Sequence, residues 1–305
     1  MVVSTSPSAP LIVVFGATGK QGGSVIDHLA ASKREYRIKG VTRSASKLKE
    51  TKLAEPKLQV IEADLMSKDG VTNAIEGANA VFCVTTWLEA GIEAERQQGV
   101  NIIEAIQATK PQPLLLFSGL PHITDISKGK YSKVEHFDSK AEIYEKAKSA
   151  GLKVVSVEPA FYMENFLKGP FLAKQEDGNF IISFPLEPTR RLAVVNARRD
   201  YGAFVVGALE SNRTDGRVYA ATDELTLAEL AIIWGQETST KCNYVHVPSA
   251  KFQSKVGEQL SQMIAYIGEF GYYGGAELKT SQELVSGTRA WKEFVSKSDW
   301  SGVIA

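Results

Sequence analysis

The chain has 305 residues, enough for one large domain or as many as two, and 44% of it is apolar, enough for a sizeable core. Lysine plus arginine equals aspartate plus glutamate at 35 each, so the charge balance favours neither a nucleic-acid nor an acidic-membrane partner. Cys83 and Cys242 are too few and too far apart for a disulfide framework or a metal site, which leads to the expectation of a reducing, cytoplasmic compartment, with the nucleus as an alternative.

Residues 1–10 are rich in serine and proline without a basic region or an apolar core, and are expected to form a disordered tail rather than a signal peptide. No apolar run approaches the ~20 residues needed to span a bilayer. Residues 11–15, Leu-Ile-Val-Val-Phe, are a continuous apolar run of the kind a parallel strand buried on both faces requires. Gly16, Gly19 and Gly22 follow at a spacing of three, and residues 24–31 read as a helix with Val25, Ile26 and Leu29 on one face. A strand, a glycine turn and a helix in that order make a place for a pyrophosphate. The turn lets the backbone approach the phosphates, whose charge sits at the helix N-terminus. Gly16, Thr18, Gly19, Lys20, Gln21 and Gly22 are the candidate phosphate-binding residues.

Further strands are expected at 37–42, 58–63, 80–85, 114–117 and 154–157, alternating with helices around 71–75, 92–108 and 136–150. Repeated strand-helix units with apolar strands imply an α/β fold, a Rossmann-type doubly wound parallel sheet with helices on both faces. Beyond Pro159 the alternation breaks. Residues 161–171 are aromatic-rich, 178–185 read as a strand forming one arm of a hairpin, 193–195 as a return strand and 200–209 as a helix. A strand at 218–221 and a helix over 226–234 follow, the latter opened by a capping box of Thr226 and Glu229. After a strand at 244–247 the chain reads as mostly helical. The expected organisation is a dinucleotide-binding domain over 11–160, to which 191–221 return. A smaller, discontinuous α+β lobe of 161–190 and 222–305 would cover the mouth of the site.

In such a fold the end of the second strand meets the adenosine ribose, where a carboxylate selects NAD and an arginine accommodates a 2′-phosphate. Thr42, Arg43 and Ser44 stand there, with Lys47 one turn on and no acid, which points to NADP(H) over NAD(H). Asp64, followed by Leu65, is placed either to accept from the adenine amine or to cap the next helix with Ser67.

The 16–23 loop, His136-Phe137-Asp138-Ser139-Lys140, the stretch 159–166 (Pro-Ala-Phe-Tyr-Met-Glu-Asn-Phe) and Gly271-Tyr272-Tyr273-Gly274 together resemble the NmrA-like family. This is an atypical branch of the short-chain dehydrogenase/reductases that includes fungal nitrogen-metabolite regulators and redox-sensing relatives. The resemblance implies that Thr85, Thr86 and Trp87 line the cofactor and that Pro159, Phe161, Tyr162 and Asn165 lie near its nicotinamide. It also implies counterparts of a Ser-Tyr-Lys catalytic set: Ser118 to orient a carbonyl, and Lys140 on the nicotinamide ribose. Four residues before Lys140, where a tyrosine is usual, stands His136. The neighbouring ammonium is expected to lower its pKa and leave it neutral near pH 7. Tyr131, in the loop before the helix, is a second candidate. Tyr144 and Lys148 form a literal Tyr-x-x-x-Lys, but Tyr144 shares a helical stripe with Ala141 and Ala147 and reads as packing. Two functions stay open. One is an NADPH-dependent oxidoreductase reducing a small carbonyl, enone, quinone or imine. The other is a non-catalytic NADP(H) sensor that regulates a protein partner. Either would act as a monomer or a homodimer, without a metal.

Overall fold

The computed structural model describes residues 3–44, 58–88 and 91–304. Strand β1 (Leu11–Phe15) is buried along its whole length because it has a parallel neighbour on either side and helices over both faces. The elements after it run α1 (Lys20–Ala31), β2 (Arg37–Thr42), β3 (Gln59–Glu62), α2 (Lys68–Ala74), β4 (Ala80–Cys83), α3 (Gly91–Ala108), β5 (Leu114–Phe117), α4 (Ile123–Ile126), α5 (Glu135–Ser149) and β6 (Val154–Pro159). Short strands β7 (Phe161–Tyr162) and β8 (Leu172–Lys174) precede β9 (Phe180–Phe184) and β10 (Arg191–Val195). The chain continues through α6 (Tyr201–Glu210), β11 (Arg217–Ala220), β12 (Asp223–Thr226), α7 (Leu227–Thr238), β13 (Cys242–His246), α8 (Ser249–Val256) and α9 (Glu258–Phe270).

Seven strands form one parallel sheet in the order β3-β2-β1-β4-β5-β6-β11. The order reverses between β1 and β4, which opens a crevice beyond their carboxyl ends, where open α/β sheets bind ligands. Two apolar layers sandwich the sheet. One is built by Val25, Ile26 and Leu29 of α1 with Tyr201, Phe204 and Val205 of α6. The other is built by Ile102, Ile103 and Ile106 of α3 with Ile143, Tyr144 and Ala147 of α5. Helices α1 and α6 touch backbone to backbone. A Cβ at Gly202 would lie 2.1 Å from Ser24 O, and Gly202 N donates to Ser24 Oγ at 2.9 Å.

A third apolar cluster gathers Phe161, Phe166, Phe171, Phe184, Trp234 and Trp291 around two three-stranded sheets, β12-β10-β7 and β13-β9-β8. Strand β9 is one arm of a hairpin, but the other arm is β8, a strand not expected from the sequence. The return strand β10, however, pairs with β7 and β12 and not with β9. The capping box of Thr226 and Glu229 is present at the head of α7. The expectation of a disordered tail is corrected from residue 3 onward. Val3 is buried and bridges Tyr36, and Ser4 N donates to Tyr36 O at 2.8 Å, so this segment runs along the start of β2. No helix among the described residues is long and apolar enough to cross a membrane.

Candidate functional site

The glycine turn between β1 and α1 is shaped by backbone contact. Gly16 sits at φ +70°, a conformation that suits glycine, and its carbonyl accepts from Gly19 N at 2.8 Å. A Cβ at Gly22 would lie 2.2 Å from that same carbonyl oxygen, so the first turn of α1 packs on the loop only because it carries glycine there. Gly19 caps α1 without a side-chain hydrogen bond, and no acid occupies the first turn. The amide N–H groups of that turn, with the positive end of the helix dipole, therefore face a cleft of about 410 Å³.

Gly16, Thr18, Gly19, Lys20, Gln21 and Gly22 all line this cleft, as do Arg43, Asp64, Leu65, Thr85, Thr86 and Tyr162. Thr42 Oγ1 lies 3.3 Å from both Thr18 Oγ1 and Ser44 N, which ties the end of β2 to the glycine loop beside Arg43. Asp64 Oδ1 accepts from Met66 N, while Ser67, not Asp64, caps α2. Gln21 Nε2 donates to Tyr162 Oη at 2.7 Å, joining the first turn of α1 to β7. Lys47 lies outside the described residues.

Behind Thr85, which lines the cleft, a buried ion pair joins α5 to α3. Lys140 Nζ donates to Glu95 Oε1 at 2.6 Å, to Thr85 O at 2.8 Å and to Thr85 Oγ1 at 2.9 Å, which engages all three ammonium N–H groups. Glu95 is wholly buried and also accepts from Ser139 Oγ. Gln98, one turn further along α3, accepts from Thr86 N at 3.0 Å. The expectation that Lys140 points at a ribose is thus corrected. Its ammonium is committed to Thr85 and Glu95, and through them it fixes the strand end that lines the cleft.

His136 is buried one turn before Lys140, with the Trp87 ring 5.3 Å away and tilted by 33°. Its pKa is lowered to about 4. The cause is chiefly burial, partly opposed by the Gln259 side chain; the Lys140 charge invoked from the sequence contributes less. The imidazole is therefore neutral at physiological pH. Trp87 itself lies against His136, while its neighbours Thr86 and Leu88 face the cleft.

Other expectations are corrected. Tyr131 donates to Glu269 Oε2 at 2.8 Å and lines a different cleft, between α9 and the loop before β10, because Lys130 and Glu269 draw the loop that way. Ser118, the residue after β5, is buried beside the Tyr201 hydroxyl and is not part of the cleft lining. Phe161 belongs to the aromatic cluster, 5.2 Å from Phe171 and 5.8 Å from Phe166, which is where its area is best removed from water. Pro159 is consumed in the ladder opposite Ala220, and Asn165 lies in the helical turn Met163–Phe166, away from the cleft lining. Tyr144 is buried beneath the Arg217 guanidinium, as packing predicts.

One family model matches residues 8–295, a span that includes this strand-glycine-helix cleft and helix α5 beside it. The chain belongs to the NmrA-like family. An NmrA-like family domain-containing oxidoreductase, himF of Aspergillus japonicus, is 27% identical over 270 residues, covering 83% of this chain and 81% of its own length. The solved structure of NmrA, a negative transcriptional regulator, in complex with NADP aligns with TM-score 0.77 at 19% identity over 95% of both chains. An NADPH-dependent quinone oxidoreductase from Escherichia coli, solved with NADPH, aligns with TM-score 0.71 at 23% identity over 93% of this chain and 98% of its own. These last two likenesses are of fold. Within this NmrA-like chain, sequence reasoning missed Glu95, Gln98 and Gln259. The first two carried a signal: they interrupt the apolar stripe of α3, which Ile102 and Ile106 continue on the same face.

Proposed function

We propose that this NmrA-like chain binds NADP(H) in the cleft and uses it to reduce a small carbonyl, enone, quinone or imine. The observation that carries the reading is the uncapped N-terminus of α1 over a glycine turn in which a Cβ at Gly22 would strike the Gly16 carbonyl. That cradle fits a diphosphate, whose oxygens the free amide N–H groups would bind. Arg43, beside Thr42 and Ser44, would take a 2′-phosphate, and Asp64 would accept from the adenine amine. When bound, NADPH supplies a hydride at its nicotinamide end. Lys140 acts as a positioning residue, holding Thr85 together with Glu95, while Gln98 holds Thr86 and neutral His136 offers a polar edge beside Trp87 to orient the reducible group. Residues 11–160 and 191–221 would then serve the cofactor, and 161–190 with 222–305 the substrate. Support comes from relatives such as the NmrA-like oxidoreductase himF and from fold neighbours solved with NADP or NADPH.

Calorimetric titration tests the cofactor half. Wild type should bind NADPH more tightly than NADH, and Arg43→Glu should weaken NADPH by about 10- to 100-fold, the worth of a charge-assisted bond, while leaving NADH within a few-fold. Equal affinities in the wild type refute the NADP(H) assignment. Loss of NADPH absorbance with a quinone, enone or imine panel tests turnover. A second reading is favoured by the full engagement of Lys140 and the absence of a tyrosine four residues before it: a non-catalytic sensor whose contacts with a protein partner follow the oxidised or reduced state of the cofactor. It requires different affinities for NADP+ and NADPH, and equal affinities exclude it.

A further inference from the structure

Gln21 and Tyr162 both line the cleft and share one hydrogen bond, Gln21 Nε2 donating to Tyr162 Oη at 2.7 Å. That bond uses one end of the amide and one lone pair of the hydroxyl. Gln21 is only 5% exposed, and its Oε1 is buried without a partner, which is rare for an acceptor. The Tyr162 hydroxyl has a proton to give and, among the described residues, no acceptor for it. Desolvation, with Glu164 nearby, raises its pKa and keeps that proton in place. One acceptor and one donor are therefore left over in the same pair. Turned end for end, the amide exchanges the two roles, and the remainder is again one donor and one acceptor. Both residues are anchored. Gln21 sits in the first turn of α1, and Tyr162 pairs with Val195 in the β7–β10 ladder, with Lys20 Nζ 5.9 Å from its ring centre.

The sheet order decides which part of a dinucleotide meets this pair. Arg43 and Asp64 follow β2 and β3 on one side of β1, whereas Tyr162 follows β6 on the other. A dinucleotide whose diphosphate lies over the glycine turn puts its adenosine on the first side and its nicotinamide on the second. We propose that Gln21 and Tyr162 grip the carboxamide of the nicotinamide, Gln21 Oε1 accepting from its NH2 group and Tyr162 Oη donating to its carbonyl oxygen. A primary amide carries a donor and an acceptor on one carbon, which matches what the pair leaves over. A carboxylate only accepts, and an apolar ring edge does neither. Held in this way, the carboxamide fixes the rotation of the ring about its glycosidic bond. Gln21 and Tyr162 become specificity-determining residues for the nicotinamide end, the second of them contributed by a strand remote in sequence from the glycine loop. The assignment rests on the NADP(H) reading of this cleft and concerns only that end.

The test is calorimetric titration of the full chain with three probes. They are NADP+, its 3-acetylpyridine analogue, in which a methyl replaces the carboxamide NH2, and adenosine 2′,5′-bisphosphate, which lacks the nicotinamide half. Wild type should bind NADP+ about fivefold more tightly than the analogue, the equivalent of one neutral hydrogen bond. Gln21→Leu should bring that ratio close to one. Tyr162→Phe should weaken NADP+ and the analogue alike, by about fivefold, and both variants should hold the bisphosphate within about twofold of wild type. A ratio that survives in Gln21→Leu and is lost in Tyr162→Phe supports the same grip with the amide turned. Circular dichroism establishes that each variant is folded. A wild-type ratio near one, or a ratio unchanged in both variants, overturns the proposal. So does a loss of bisphosphate affinity as large as the loss of NADP+ affinity, which would assign the two side chains to the phosphates. A wild-type chain that binds neither NADP+ nor the bisphosphate refutes the cofactor reading itself, and the assignment falls with it.

Discussion

Replacing Glu95 by leucine tests whether Lys140 serves the strand end or the cofactor. Glu95 is wholly buried, and its removal strands an ammonium of which only a tenth is exposed, leaving it the carbonyl and hydroxyl of Thr85. Breaking a buried pair by deleting one partner costs about 3–5 kcal/mol, because the surviving charge stays out of water. At roughly 2.1 cal/mol/K per residue, the unfolding entropy of 305 residues is ~0.6 kcal/mol/K, so the melting temperature should fall by about 5–8 °C. The double variant Glu95→Leu/Lys140→Met removes both charges and should regain at least ~2 kcal/mol. It should not regain everything, since buried Ser139 Oγ loses its acceptor. Thermal unfolding followed by circular dichroism reads these shifts, and NADPH titration of the same proteins reads the site. If Lys140 only positions Thr85, the double variant binds NADPH within a few-fold of wild type. A fall of less than 2 °C for Glu95→Leu, or a double variant no more stable than the worse single one, would refute the buried-pair reasoning. A stable double variant that has lost NADPH affinity would return Lys140 to the cofactor.

Two further outcomes follow from the same geometry. Gly22→Ala places a methyl 2.2 Å from a carbonyl oxygen that is part of the backbone and cannot swing aside; NADPH affinity should fall more than tenfold with a lowered melting temperature, and unchanged affinity in titration would count against the cradle. His136, with its pKa near 4 in the folded chain against 6.5 unfolded, leaves the unfolded state binding more protons between those values. Stability therefore falls as pH drops from 6.5 to 4, by about 3 kcal/mol from this group, and His136→Phe should flatten that part of the denaturant-derived stability profile. A slope unaltered by the substitution would show that other groups produce it.

The parallel half of the fold is legible because each strand is an apolar run and each helix keeps one apolar face; β2 and β5 begin and end at the residues their sequences indicate. The glycine loop is equally plain, since only backbone geometry dictates Gly16 and Gly22. The later half is less so. Strands β7 and β8 are two and three residues long and exist through their partners, so no local period announces them. Phe161 and Tyr162 are adjacent in a strand and point to opposite faces, one to the aromatic cluster and the other to the cleft; a motif that names both cannot separate them. Tyr131 was misplaced for the opposite reason: a loop has no period, and the distant Glu269 decides where it points. Glu95 reads as a solvent-facing acid until the position of Lys140 is known.

The close seating of α1 on α6 bears on how the glycine turn can respond to a ligand. With Gly202 against Ser24 and Arg198 paired to Asp27 at 2.6 Å, α1 is braced along its outer side, while β1 and β2 brace it from within. A helix wedged in this way has no room to recoil, so its amide groups keep their aim before anything binds. Association then spends little free energy on ordering the phosphate end. Any rearrangement that accompanies binding falls to the parts tied to it by single side chains, of which Tyr162, on the hydroxyl end of the Gln21 bond, is the nearest.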